Sequence, residues 1–148
     1  MYRYLTVKLG SPDDAEDVLQ EVFCRLAKYS FRLKFVRDLR SFAFRIARNE
    51  ANRFLQHKIH GQQAVSRATH FAESLRGSYS APDGLTEQAV TAALARIPDE
   101  QREVIVLRVF EGLSFREIAA VSRQSINTVA SRYRYGIEKM RTLMEGGK

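Results

Sequence analysis

Two helix starts lie close together near the C-terminal end of the sequence, and they constrain the fold more than any other feature. Ser114 and Glu117 have the S-x-x-E spacing of a capping box. Ser125 is a second N-cap residue, and the run after it has apolar residues three and four apart, namely Ile126, Val129, Tyr133, Ile137 and Met140. A short helix, a tight turn and a longer basic helix predict a helix-turn-helix, whose second helix is sized for the DNA major groove.

Helical patterns also fill the rest of the chain outside one central stretch. Ser11 and Pro12 open "SPDDAEDVLQEVFCRLAKY", whose inner face is predicted to consist of Ala15, Val18, Leu19, Val22, Phe23, Leu26 and Ala27. A helix beginning near Leu39 is predicted to bury Phe42, Ile46 and Phe54, and "SFRLKFVRD" before it is predicted to be a loop. Pro98 opens another helix and Gly112 closes it.

The central stretch, residues 59–86, is rich in Gly, Ser, Gln, Ala and Thr and predicts a flexible linker. The chain is therefore expected to be all-α, with two small helical modules at 1–58 and 87–148. Because a flexible linker imposes little geometry, we expect only transient packing between the modules in the isolated protein.

The charge of the chain is unevenly distributed. A net charge of +7 suits a polyanionic partner, either nucleic acid or an anionic membrane surface, and the charge alone does not choose between them. An acidic block comes first, made of Asp13, Asp14, Glu16, Asp17 and Glu21. A basic block follows, made of Arg32, Lys34, Arg37, Arg40, Arg45, Arg48, Arg53 and Lys58. This asymmetry predicts two different partners, one basic and one acidic.

Several classes of protein are disfavoured by the sequence. The one cysteine, Cys24, cannot form an internal disulfide and is expected in the core, which fits a cytoplasmic location. No apolar run is long enough to span a membrane, and the first ten residues lack the apolar core of a signal peptide. His57, His60 and His70 have no companion ligands, so we expect no metal. No phosphate loop or catalytic constellation is present, so we expect no cofactor and no enzyme activity.

Four segments, taken in order, resemble one family. "DAEDVLQEVFCRL" and "RSFAFRIARNEANRFL" resemble the second region of bacterial RNA polymerase sigma factors, of the extracytoplasmic-function (ECF) group. "IPDEQREVIVLRVFEGLSFREIA" and "NTVASRYRYGIEKMRTL" resemble their fourth region. The resemblance implies an alternative sigma factor that binds core RNA polymerase and directs promoter recognition and opening.

Two alternatives stay open at this point. One is a helix-turn-helix DNA-binding regulator that does not drive initiation. The other is a sigma-like adaptor, recruited by another protein, with weak promoter recognition of its own. An anti-sigma factor or a recruiting protein is a further expected partner, and no membrane insertion is expected.

The resemblance also implies roles for individual residues. Core polymerase would contact Asp14, Asp17, Gln20 and Glu21. The minus-10 element would contact Phe31, Arg32, Lys34, Phe35, Arg37, Arg40, Arg45, Arg48, Asn49, Asn52 and Arg53. The minus-35 element would contact Arg116, Arg123, Asn127, Thr128, Ser131, Arg132, Arg134 and Tyr135. The residue types suit these tasks, because aromatic rings stack on unpaired bases, cations follow phosphates, and Arg or Asn reaches base edges.

The sequence departs from the family at three places. Ser122, Arg123 and Gln124 stand at the turn where relatives have Gly between two apolar residues, which predicts backbone strain and a weaker small core. Phe42 stands where relatives usually have Trp, and we expect it to be buried. Arg53 stands where many relatives have Asp.

Overall fold

The computed structural model describes residues 1–59 and 87–146, and its regular structure there is helical, as the sequence predicts. The first segment contains α1 (Tyr2–Leu9), α2 (Pro12–Lys28), α3 (Ser30–Leu33) and α4 (Leu39–Ile59). The second contains α5 (Glu87–Arg96), α6 (Asp99–Ile105), a π-helical turn (Val106–Phe110), α7 (Phe115–Ser122) and α8 (Ile126–Glu145). Apart from Ile59, the predicted linker lies outside the described residues. None of the described helices could cross a membrane.

Side-chain caps begin the helices where the sequence predicts them. The Ser11 hydroxyl accepts a hydrogen bond from the Asp14 N–H at 3.3 Å. The capping box is complete, because the Glu117 N–H donates to Ser114 Oγ at 3.2 Å and the Ser114 N–H donates to the Glu117 carboxylate at 2.6 Å. Ser125 Oγ accepts from the Thr128 N–H at 3.0 Å. These bonds satisfy N–H groups that a helix leaves unpaired at its start.

The inner face of α2 is narrower than predicted. Ala15, Val18 and Val22 are fully buried against α1 and α4, with Leu19 and Leu26 half-buried beside them. The placement of Phe23, Ala27 and Cys24 inside was wrong, because all three are exposed. A residue directly after Val22 lies about 100° further round the helix, beyond the stripe that α1 and α4 cover.

Two other predictions for the first segment need correction. The stretch predicted to be a loop begins with a helical turn, α3, and only its remainder is a turn and bend. Phe42 is half-buried instead of fully buried, since its ring packs edge-on against Tyr29 at 6.0 Å between centroids and borders solvent elsewhere.

Buried Glu50 links α4 to α2 through an ion pair with Arg25 at 2.9 Å.

In the second segment, α8 packs closely against α5, α6 and α7. Val129, Gly136 and Met140 form the buried stripe of α8, with Tyr133 and Ile137 half-buried beside them. The prediction that Ile126 belongs to this inner face was wrong, because its side chain is 49% exposed. Gly136 allows the close approach, because a Cβ there would lie 2.8 Å from Ile105 Cδ1.

The two segments pack against each other. Helix α4 lies against α7, and α1 contacts the π-helical turn. Their buried apolar side chains form one continuous core that extends from Tyr4 in α1 to Met140 in α8. The transient contact expected between modules is therefore an extensive packed interface in this structure.

Candidate functional site

Helix α2 presents part of the acidic set predicted to contact polymerase. Asp17 and Gln20 are exposed. Glu21 is also exposed and accepts a hydrogen bond from Arg25 at 3.1 Å. Asp14 is half-buried, and its carboxylate lies 2.6 Å from Lys58 Nζ of α4. The outward carboxylates of α2 therefore differ in how free they are to bind a partner, since Asp14 is already paired with Lys58.

The structure adds an apolar residue to this face that the sequence interpretation placed inside. Phe23 is 59% exposed and follows Gln20 by three residues, so the two side chains are neighbours on one side of α2. Cys24, four residues after Gln20, lies beside it. Counting three and four residues onward from Asp17 and Gln20 would have revealed this stripe.

The next candidate surface is α3 with the turn after it. Phe31 and Phe35 are 74% and 78% exposed. Lys34 Nζ lies 4.5 Å from the centroid of the Phe31 ring, a cation–π contact. Arg32 and Arg37 are exposed nearby in sequence. Exposed rings interleaved with cations are the arrangement that binds single-stranded nucleic acid.

Asp38 fixes the start of α4 behind this surface. Its carboxylate accepts hydrogen bonds from the Ser41 hydroxyl and, at 3.0 Å, from the Ser41 N–H. These bonds hold the pKa of Asp38 below its ordinary value.

The basic side chains of α4 are held in different ways. Arg45 lies over the Phe42 ring at 5.7 Å from its centroid. Asn49 is exposed and Asn52 is half-buried. Arg53 is exposed, with its guanidinium 3.6 Å from the Glu50 carboxylate, so it has an acidic neighbour on its own helix.

Two arginines of α4 point instead into the contact with the second segment. Arg40 donates to the backbone carbonyl of Glu111. Arg48 donates to both carboxylate oxygens of Glu103, with Nε at 3.1 Å and Nη2 at 3.3 Å. Both were predicted to contact the minus-10 element, and the structure places both on acceptors of the second segment.

Glu103 of α6 is the centre of a polar cluster between the segments. Besides Arg48, it accepts a hydrogen bond from the Tyr4 hydroxyl at 2.6 Å and one from Lys8 at 3.0 Å. Burial raises the pKa of Glu103, but the charges of Lys8 and Arg48 and the tyrosine hydrogen bond outweigh it, so the pKa is below its ordinary value. Burial and the adjacent Glu103 carboxylate raise the pKa of Tyr4 well above its ordinary value.

The turn between α7 and α8 has the strained backbone that its sequence predicts. Arg123 adopts the left-handed conformation, with φ 55° and ψ 39°, and its N–H bonds to the Ala119 carbonyl. Ser122, which replaces an apolar residue, is buried, and its hydroxyl donates to the Ile118 carbonyl at 2.8 Å. The buried hydroxyl is thus satisfied, and the strain is confined to one residue.

The outer face of α8 carries the other predicted DNA contacts. Asn127, Arg134 and Tyr135 are exposed, and the Arg134 guanidinium lies 5.1 Å from the Tyr135 ring centroid. Thr128 belongs to the N-terminal cap of α8, and Ser131 is half-buried. Arg132 is half-buried and pairs with Glu100 of α6 at 2.7 Å. Arg116, on α7, is exposed.

Comparison with known families shows which proteins share this arrangement. Residues 1–58 match the family model for sigma-70 region 2, and residues 87–140 match the model for sigma-70 region 4. The chain belongs to the sigma-70 family. As a sigma factor of the ECF type, it directs transcription initiation as an alternative specificity subunit.

Individual relatives agree with this assignment. The sigma factor is 25% identical to the RNA polymerase sigma factor SigZ of Bacillus subtilis, over 97% of this chain and 80% of SigZ. It is 26% identical to the ECF sigma factor SigX of the same organism, over 98% of this chain and 78% of SigX. Its fold is similar to that of the sigma factor RpoE solved with the anti-sigma factor NepR from Bartonella quintana. The TM-score is 0.69 at 23% identity, covering 97% of this chain and 89% of RpoE.

Proposed function

We propose that the two modules divide the promoter between them, with residues 1–58 binding core polymerase and the minus-10 element and residues 87–148 binding the minus-35 element. The exposed pair Phe31 and Phe35 carries this proposal most directly. Two phenylalanine rings more than 70% exposed beside Lys34 are costly in water and well suited to stacking on unpaired bases. The sigma factor thus acts by binding and positioning, without catalysis of its own.

Core polymerase binds the outer face of α2 in this proposal. Asp17 and Gln20 supply exposed polar groups, Glu21 is shared with Arg25, and Phe23 adds an apolar anchor beside them. Charges at the edge of such an interface favour encounter and register, whereas a buried aromatic side chain contributes most of the affinity. Asp14 contributes less, because Lys58 already pairs with it.

The minus-10 element binds α3, the turn after it and the outer side of α4. Phe31 and Phe35 take unpaired bases, while Arg32, Lys34 and Arg37 follow the phosphates. Along α4, Arg45, Asn49 and Arg53 extend this surface, with Asn52 partly accessible. Arg40 and Arg48 join it only after they leave their acceptors in the second module.

The minus-35 element is recognised by α8. Arg134 and Tyr135 are the exposed side chains best placed to enter a groove, and half-buried Ser131 and Arg132 lie one turn before them. Asn127, Thr128 and the two arginines Arg116 and Arg123 surround the start of α8, where they hold phosphates and set the register.

A regulatory partner is also proposed. The RpoE structure contains an anti-sigma factor, and we propose that a protein of the same kind, or a recruiting protein, binds this sigma factor as well.

Two experiments test the proposal. In the first, core polymerase is incubated with the wild type, with the double variant Asp17→Ala and Glu21→Ala, or with the matched control Glu138→Ala and Glu145→Ala. The control removes two exposed carboxylates of α8, so its net charge equals that of the α2 variant. The α2 variant is expected to lose at least tenfold in affinity for core polymerase, and the control less than twofold.

The second experiment is in vitro transcription by core polymerase with this protein on a library of genomic fragments. New start sites are expected with the wild type, and Arg134→Ala is expected to relax the upstream sequence preference by about 1–3 kcal/mol at one position. Binding to DNA without new start sites would instead support a helix-turn-helix regulator, and absence of core binding would contradict the proposal.

A further inference from the structure

Glu50 is a buried carboxylate of α4 that holds cations from two helices. Its side chain is 8% exposed, and one carboxylate oxygen lies 2.9 Å from Arg25 Nε of α2. The other oxygen lies 3.6 Å from Arg53 Nη1, about one turn further along α4. Taking a charge out of water is unfavourable unless partners replace the water. The two arginines are therefore what stabilises a charged Glu50 in this position.

Arg25 has a second acidic partner on its solvent side. The Arg25 Nε–H donates to Glu21 Oε1 at 3.1 Å, one turn earlier on α2. Shielding increases inward along these three side chains, since Glu21 is 49% exposed, Arg25 31% and Glu50 8%. Arg25 therefore bridges an exposed carboxylate of the proposed polymerase-binding face and a buried carboxylate behind it.

Glu21 can bind a cationic group of polymerase only by giving up part of its contact with Arg25. For an arginine with no other acceptor, that exchange leaves a positive charge unpaired beside the incoming cation, and the two like charges repel. Glu50 prevents this, because it keeps Arg25 paired on the inner side. It also anchors the guanidinium to α4, so that Arg25 does not follow Glu21 into the interface.

We propose that Glu50 is a positioning residue for polymerase binding, which holds Arg25 so that Glu21 is free to pair with a cation of core polymerase. The inference rests on the proposed role of the outer face of α2. Glu50 is buried and does not contact polymerase itself, so it acts on affinity only through Arg25 and Glu21.

The test measures the affinity of core polymerase for the dye-labelled, full-length sigma factor by fluorescence anisotropy. Glu50→Gln keeps the shape of the side chain and removes its charge, and it should weaken binding about threefold to tenfold. The matched control Glu138→Gln removes one exposed carboxylate of α8 and should change the affinity by less than about twofold. Wild-type affinity in Glu50→Gln overturns the proposal.

A double-mutant cycle separates positioning from a general loss of structure. In a Glu21→Gln background, Glu50→Gln should weaken binding by less than about twofold, because the carboxylate through which it acts is already neutral. In an Asp17→Asn background, the full loss should remain. An equal loss in both backgrounds would mean that Glu50 only supports the fold of the module, and it overturns the proposal.

Glu50→Asp is a second variant, because it retains the buried charge. It should bind polymerase more tightly than Glu50→Gln, and binding as weak as that of Glu50→Gln overturns the proposal. Circular dichroism and thermal melting verify that each variant folds. If Glu50→Gln does not fold, Glu50→Asp replaces it in the cycle, and its smaller loss should likewise disappear in the Glu21→Gln background.

Glu21→Gln alone distinguishes this proposal from the proposed function. If Glu21→Gln binds polymerase as tightly as the wild type, the polymerase-binding role of this face of α2 fails, and the positioning role fails with it. If Glu21→Gln weakens binding and Glu50→Gln does not, only the positioning role of Glu50 is overturned.

Discussion

The two surfaces proposed to face the promoter are held in opposite ways. On α8, the inner stripe packs tightly through Gly136 while Arg134 and Tyr135 remain exposed. On α4, the side facing the second module includes Arg40 and Arg48, which are already bound. The second module therefore presents Arg134 and Tyr135 to solvent, whereas two arginines of the first module are held on acceptors of the second. Which of the proposed DNA-binding side chains are free to contact DNA therefore depends on the packing between the modules as much as on the fold of each module.

The largest effect is expected from filling the contact that positions α8. Gly136→Leu places a side chain where a Cβ already lies 2.8 Å from Ile105 Cδ1 and 3.2 Å from Gln101 Cβ. The free energy of unfolding should fall by about 3 kcal/mol, because an overpacked core must shift its neighbours. Urea denaturation measures it. Lys139→Leu, exposed on the same helix, should change stability by no more than about 0.5 kcal/mol, and an equal loss in both variants would contradict the packing account.

The next effect concerns the contact between modules. Tyr4→Phe removes only the hydroxyl that donates to Glu103 at 2.6 Å, so the free energy of unfolding should fall by about 1–2 kcal/mol. Tyr2→Phe is the matched control, because Tyr2 lies on the same helix and is 42% exposed. Thermal melting of the two variants gives the comparison, and indistinguishable midpoints would argue that the hydroxyl contributes nothing to docking.

Strain in the turn before α8 gives a smaller effect of opposite sign. Arg123→Gly should raise the free energy of unfolding by about 0.5–1 kcal/mol, because glycine adopts φ 55° without a Cβ penalty. Gln124→Gly, one residue later and outside the left-handed region, should lower it by a similar amount. The same Arg123 variant should bind DNA more weakly with a shallower salt dependence, since one phosphate contact is lost. Stabilisation by both glycines would show that the strain is not specific to Arg123.

The smallest effect is a pH dependence of docking. The pKa of Glu103 is lower in the folded protein than in the unfolded chain, so its stabilising contribution is complete above the unfolded pKa. That contribution is lost as the pH falls through the folded pKa, in the acid range. Stability measured from neutral to acid pH should therefore decline less in Glu103→Gln than in the wild type. Parallel curves of stability against pH for the two proteins would show that the charge of Glu103 does not stabilise the contact between the modules.

What the sequence could predict was set by local chemistry. The capping bonds of Ser114 and Ser125 and the strained Arg123 depend on residues at most four apart, and all three were predictable. Phe23 was misplaced, because the width of the buried stripe on α2 depends on how α1 and α4 cover it. The Glu103 cluster gave no sequence signal, since its donors lie 55 to 99 residues away along the chain.

The most direct test of the account measures the distance between the modules when polymerase and promoter bind. Cys24 is replaced by Ser, and dyes are placed at Gln56→Cys and Lys139→Cys, both exposed and outside the proposed interfaces. Adding core polymerase with a promoter fragment should change the high-transfer state of the packed modules into one in which the dyes are tens of ångströms further apart. The reason is that the minus-10 and minus-35 elements are about 25 base pairs apart, roughly 85 Å along B-form DNA. Productive initiation with the transfer efficiency of the packed modules unchanged would contradict the account.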